Sequence, residues 1–240
     1  DEEGDLAHAA VMELRSTYED KYGGFELAPK FPTPHKLMLL LRYGLRRGDQ
    51  TATDMALWTL RNMSLGGIYD HVGFGFHRYS TDRRWFVPHF EKMLYDQAMH
   101  VMAYTEAYLL TKDDWYKQVA CNTLAYVMRD LGSPEGALFS SEDADSEGEE
   151  GKFYTFTYEE VVDALGLEDN STFLDVCDIR EGGNYREEAS GRHLGRNIMH
   201  ITNDLENLAL QRKVPISVVS TTIRSGFPSL YRKREGRVRP

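Results

Sequence analysis

Five segments in the first 132 residues each carry a helical apolar stripe and a stop signal, and most are joined by links too short to let neighbours separate. Leu6, Ala10, Leu14 and Tyr18 run down to Gly23 and Gly24. Thr33 and Pro34 read as a cap and first-turn pair, since proline's missing N–H is no loss there, ahead of Leu37, Met38, Leu40, Leu41, Leu45 and a stop at Gly48. Thr51 and Asp54 form a variant capping box before Met55, Trp58 and Met63, with Gly66 and Gly67 ending the helix. Pro88 opens a helix of about twenty residues marked by Met93, Leu94, Ala98, Val101, Met102, Leu109 and Leu110. Asp113 or Asp114 caps the fifth segment, whose Val119, Leu124, Val127, Met128 and Leu131 lead to Gly132. Such a series predicts a mainly helical protein built from antiparallel helical pairs.

Two interruptions break the series. Leu138 with Phe139, then Phe153, Tyr154 and Phe156, predict a β-hairpin around a long polar tip. Thr157 and Glu160 form a capping box for a short helix ending at Gly166. Beyond residue 178 the signals weaken to a turn at Glu181, Gly182, Gly183 and Asn184 and a helix over residues 203–213.

A formal charge of -10 points away from nucleic acid, whose phosphates are gripped by basic side chains. The basic run from Arg232 to Arg239 reads as a solvated terminus or linker. No apolar run reaches the roughly 18 residues of a membrane span. Cys121 and Cys177 form no C-x-x-C pair, which fits a reducing compartment and a cytoplasmic location. The motifs of phosphate loops, dinucleotide folds and nucleophile elbows are missing, so no cofactor is expected.

The chemistry is concentrated in residues 66–97. His71, His77 and His89 fall within nineteen positions of a chain that holds eight histidines, interleaved with Asp70, Asp96, Tyr69, Arg78, Tyr79, Trp85, Glu91 and Lys92. Imidazoles move protons near neutrality, carboxylates act as bases or orient them, and aromatic faces stack on sugar rings. The alternative is that these side chains satisfy backbone groups the loop leaves unpaired. On the helix expected from Pro88, Lys92 and Asp96 share a face, as do Glu91 and Tyr95, either as exposed pairs or at a helix end that favours an anion. The hairpin tip packs Glu142, Asp143, Asp145, Glu147, Glu149 and Glu150 into nine residues, a solvated acidic tip or a source of catalytic carboxylates anchored by Phe153. Its spacing does not match a calcium loop, and the histidine spacing matches no compact zinc motif, so no metal is expected.

Residues 24–34, which end Pro-Lys-Phe-Pro-Thr-Pro, with residues 66–97, 137–157 and 237–240, resemble in order the thioredoxin-domain-containing family related to spermatogenesis-associated protein 20. The resemblance implies a thioredoxin-like domain followed by an (α/α)6 toroid similar to N-acylglucosamine 2-epimerase and six-hairpin glycosidases. On that basis residues 1–240 are a single, incomplete toroid segment without the thioredoxin-like domain and the later helices. A second copy or the missing helices would then cover its exposed faces. Epimerase-like histidine chemistry carries over to His71 and His77 by analogy alone.

The expected function is therefore carbohydrate-active: a sugar epimerase or isomerase, or a glycosidase, using His71, His77 or His89 with Asp70, Asp96, Asp143 or Asp145. Tyr69, Arg78, Tyr79, Trp85, Glu91, Lys92 and Phe153 are the expected substrate-binding residues. The alternative is a non-catalytic sugar- or protein-binding scaffold that acts with a thioredoxin-like domain. Either way, the loop and the acidic tip should meet at one end of the helical array and line its cleft.

Overall fold

A computed structural model describes residues 2–25, 27–166, 171–186, 191, 194–202 and 205–240. Its first half holds helices α1 (Glu2–Thr17), α2 (Pro34–Arg47) and α3 (Gln50–Leu65). Strands β1 (Tyr79–Ser80), β2 (Pro88–His89) and β3 (Lys92–Met93) follow, then α4 (Leu94–Thr111) and α5 (Asp114–Asp130). The second half holds β4 (Ser141–Glu142), β5 (Asp145–Ser146), β6 (Glu149–Glu150), β7 (Phe156–Thr157), α6 (Tyr158–Leu165), α7 (Ser171–Val176), β8 (Arg196–Asn197), α8 (Leu205–Arg212) and α9 (Ile216–Arg234). The strands form four antiparallel two-stranded pairs, β1–β2, β3–β4, β5–β6 and β7–β8.

Helix pairs α2/α3 and α4/α5 pack along their lengths, and α2 also packs on α4. Leu37, Leu40, Ala56, Leu60, Met63, Ala103, Tyr104 and Ala107 close their shared core, which Ile68, Phe76 and Trp85 enter from the loop after α3. A second core gathers Phe156, Val161, Phe173, Val176, Val219 and Leu230 where α9 crosses α6 and α7. Phe86, Phe90, Phe153, Tyr154, Tyr185 and Ile198 form a third apolar group from the loop and the segments after α5.

The helical reading holds for α1 to α6, with local corrections. Thr33 takes a left-handed conformation and makes no side-chain cap, whereas Asp49 caps α3 by accepting from the Ala52 amide, ahead of the expected Thr51–Asp54 box. Asp113 caps α5, and Thr157 with Glu160 forms the full capping box of α6. Leu45, Trp58, Met102, Leu109, Leu124 and Met128, assigned to buried stripes, are exposed. Helix α4 starts at Leu94 and not at Pro88: residues 88–93 are extended, so Lys92 and Asp96 do not sit one helical turn apart. The hairpin survives at its tip, where β5 pairs with β6. Its expected arms pair elsewhere, β4 with β3 and β7 with β8. The helix foreseen over 203–213 is α8, with residues 203 and 204 outside the described ones.

The largest correction concerns the basic run. Residues 216–234 are helical, and Arg234 is buried, donating through Nη1 to Asp70 Oδ1 at 2.9 Å. Lys92 Nζ reaches Asp70 Oδ2 at 2.8 Å and the Phe74 carbonyl at 2.8 Å. Asp70 Oδ1 also accepts the Val72 and Gly73 amides, each at 3.0 Å. A Cβ at residue 73 would lie 1.7 Å from Arg234 Nη2, so glycine there opens the slot the guanidinium fills. Downstream, Arg237 donates to the Phe153 and Thr155 carbonyls and Arg239 pairs with Asp130, so the run is strapped across the hairpin and α5.

Burial alone would raise the Asp70 carboxyl, but Arg234 and then Lys92 outweigh it and hold the group well below the usual carboxylate range. Removing the carboxylate leaves two cations buried without their direct counter-charge. Asp70→Ala is expected to cost about 3–5 kcal/mol of unfolding free energy in a urea titration. A loss below about 1 kcal/mol would show that the cluster contributes little to stability.

Candidate functional site

The loop after α3 doubles back on itself because two glycines let backbone meet backbone. A Cβ at Gly66 would stand 2.3 Å from the Trp85 carbonyl and one at Gly67 2.1 Å from that of Phe86. Ile68 N donates to Trp85 O and His77 N to Ile68 O, while Gln97 brackets Phe76, accepting from its amide and donating to its carbonyl at 2.7 Å each. This closure draws the imidazoles inward. His71 Nε2 donates to the Gly66 carbonyl at 3.1 Å and the ring stacks on Phe227. His77 Nδ1 donates to the Phe90 carbonyl at 2.9 Å, with Phe90 and Tyr154 edge-on to the ring. Burial lowers His71 to about 4, and burial followed by the Lys92 charge lowers His77 to about 3, so both are neutral at neutral pH.

The other candidates divide into three groups. Tyr69, Trp85 and Phe153 are core residues: Trp85 is fully enclosed and donates through Nε1 to the Tyr22 carbonyl, and Phe153 lies under Arg234. Asp70 and Lys92 belong to the buried ionic cluster. Tyr79 and His89 stack at 5.1 Å across β1–β2, His89 bonds Glu150 at 2.8 Å, and Arg78 pairs with Glu91 at 2.9 Å. The loop and the acidic segment do meet, through the Lys92↔Glu142 register and the His89–Glu150 contact. Asp143 and Asp145 nevertheless stay exposed, and Asp143 accepts the Ala144 and Asp145 amides of its own turn.

A separate cleft of about 360 Å³ opens where α3 ends. Its polar lining is Asn62, Arg84, Asp178, Arg180, Asn184, His200 and Thr202, with Tyr22 and Phe86 as aromatic walls. Ile201 N donates to the Leu65 carbonyl at 2.8 Å and Thr202 N to that of Val176 at 3.0 Å, which pins the histidine-bearing segment between α3 and α7. Asn184 exchanges two 2.9 Å hydrogen bonds with the Ile198 backbone. His200 packs edge-on against Phe86, and its Nε2 has no partner among the described residues. Burial, then the neighbouring His71, lowers it to about 4. None of the candidates singled out from the sequence lines this cleft. Its residues come from five separated segments, two of them in the stretch where periodicity fades.

The described residues contain no helix long and apolar enough to cross a membrane, and no cluster of three or more histidine, cysteine or carboxylate side chains placed to hold a metal.

No family model matches the sequence. Spermatogenesis-associated protein 20 of Homo sapiens is 40% identical over 250 residues, 95% of this chain and 32% of that protein. The chain is homologous to spermatogenesis-associated protein 20. The Mus musculus protein is 38% identical over 96% of the chain, and an uncharacterized Caenorhabditis elegans protein 31% identical over 94%. The chain spans about a third of the length of these relatives. Among solved structures, cellobiose 2-epimerase from Bacillus thermoamylovorans aligns with a TM-score of 0.51 at 16% identity, over 58% of this chain and 40% of that one. The likeness identifies the helical pairs as part of an α/α toroid.

Asp96 offers a pH test of the loop's interior. It is almost fully buried, its Oδ2 has no hydrogen-bond partner among the described residues, and burial raises it to about 7, opposed by Arg78 and assisted by Glu91. A carboxyl raised in the folded state contributes stability below its unfolded pKa near 4 that is lost as pH climbs through about 7. Asp96→Asn should therefore gain stability over the parent as pH rises from 4 to 7 and hold that gain above it. Urea unfolding at pH 5 and pH 8 checks this, and an equal difference at both would refute it.

Proposed function

We propose that the cleft between α3, the 82–87 turn and residues 178–184 and 200–202 is a sugar-binding site, and that His200 is its proton-transfer group. The observation that carries this is the lining itself. Amides, guanidinia, a carboxylate and a neutral imidazole surround a space of about 360 Å³ that two aromatic rings flank, the combination that holds a polyhydroxylated ring. The toroid architecture supports the reading at the level of fold alone.

In this reading His200 takes the place expected of His71 and His77, whose ring nitrogens bond backbone carbonyls. With a pKa of about 4 it is unprotonated at neutral pH and free to accept a proton. Epimerisation beside a carbonyl needs a second group on the opposite face, and Asp178 is the carboxylate in the lining. The consumption of His71 and His77 by backbone partners favours a second reading, in which the segment binds sugar without turnover. Both readings place it in a longer cytoplasmic protein whose thioredoxin-like domain works beside it.

NMR separates them by screening aldoses and N-acylated sugars for binding and for solvent-deuterium incorporation next to the carbonyl. The proposal expects both, with His200→Gln abolishing exchange by at least about a hundredfold while affinity changes only a few-fold. Binding without exchange favours the second reading, and no binding by any sugar at millimolar concentration rejects the site.

A further inference from the structure

The cleft has an unbalanced charge. Among the described residues its lining holds two guanidinium groups, Arg84 and Arg180, against a single carboxylate, Asp178. Arg180 offsets the Asp178 charge in a bidentate pair, Nε to Oδ1 and Nη2 to Oδ2, each at 2.9 Å. Arg84 has no carboxylate partner among the described residues. The nearest carboxylate in sequence, Asp82, does not serve it: Oδ1 accepts the Arg84 and Phe86 backbone amides and Oδ2 the Val87 amide. That arrangement uses the acid to build the turn. It leaves the Arg84 side chain over the Phe86 ring, 5.3 Å from its centroid, at the cleft wall. The neighbouring Arg83, by contrast, is paired with Glu19 at 2.7 Å.

An unpaired cation in the cleft is notable in a chain of formal charge -10, where the average surface repels anions. The imidazole does not add to it, because burial, His71 and both arginines together keep His200 neutral. A planar guanidinium presents a fork of donors that fits a carboxylate or a phosphate, and the aromatic face beneath it keeps the fork oriented. Hydroxyl groups of a neutral sugar would find Asn62, Asn184 and Thr202 but would leave the Arg84 charge uncompensated.

We infer that the ligand of this cleft is an acidic sugar, one bearing a carboxylate or a phosphate, and that Arg84 is the specificity-determining residue that receives the anionic group. The inference rests on the sugar-binding reading above, and it specifies the substrate class of that same site.

Matched pairs test it: glucose against glucuronate and glucose 6-phosphate, galactose against galacturonate, with inorganic phosphate alone as a further arm, all titrated calorimetrically. At least one acidic sugar should bind about tenfold or more tightly than its neutral parent, with the preference shrinking as salt rises from about 50 to 300 mM. Arg84→Gln should remove that preference, weakening the acidic sugar about tenfold and its neutral parent no more than about threefold, with the melting temperature unchanged. The glucuronate and glucose 6-phosphate arms separate a carboxylate ligand from a phosphate one. Equal or tighter binding of the neutral sugars overturns the inference and leaves the sugar site standing. Binding of inorganic phosphate as tight as that of the sugar phosphate, or no binding by any sugar, overturns both.

Discussion

Asp70, buried between Lys92 and Arg234, is the interaction on which the arrangement of the rest depends. A lone carboxylate in that position would be neutralised by its desolvation cost, as would a lone lysine, and a lone guanidinium, which keeps its proton, would be strongly destabilising. Together they are mutually required: the two cations keep the acid ionised, and the acid is the direct counter-charge of both. Tyr126 and Tyr154 offer their ring faces to Lys92, and Glu142, bonded to the Tyr126 hydroxyl at 2.7 Å, adds a second carboxylate nearby. The three members come from the loop after α3, from strand β3 and from the end of α9. One cluster therefore fixes the loop, the β3–β4 pairing and the terminal helix against one another.

The same cluster reaches the cleft through the chain next to Asp70. His71 lies between the Gly66 carbonyl and the ring of Phe227 on α9, so the seat of α9 sets the position of the α3 terminus. Gly66 and Leu65 line the cleft, and the Leu65 carbonyl holds the Ile201 amide beside His200. Gly226 allows α9 to approach α7 closely, since a Cβ there would lie 2.3 Å from the Phe173 ring. His71 and His77 each bond a backbone carbonyl, whereas His200 Nε2, like both ring nitrogens of His100, has no hydrogen-bond partner among the described residues.

Local signals were readable and long-range ones were not. Helices α2 to α5 announce themselves through stripes and stops, because each buries one face against an immediate neighbour in sequence, and α6 through its capping box. Asp49 displaced Thr51 as a cap because the first turn of α3 forms earlier than its apolar stripe begins. Helix α9 went unread because Val218, Val219, Thr221, Thr222 and Ile223 are β-branched and Pro228 interrupts the interior, features that argue against a helix unless packing outweighs them. Arg234 resembled a solvated residue because its partner lies 164 positions away, and no sequence window registers such a pair. The cleft was missed for the same reason: Asn62, Arg84, Arg180 and His200 converge only once the two cores have docked. In the charged loop, Asp70 and Lys92 are taken up by ion pairs that hold distant elements together.

If the ionic cluster couples these elements, they must open together. Native-state hydrogen exchange tests this most directly, comparing the amides of Val72 and Gly73 beside Asp70 with those of Leu230 and Arg234 on α9. The account predicts one shared opening free energy for both sets, falling by the same amount in Asp70→Asn. Exchange of the α9 amides at a much lower opening free energy, with Val72 and Gly73 still protected, would contradict it.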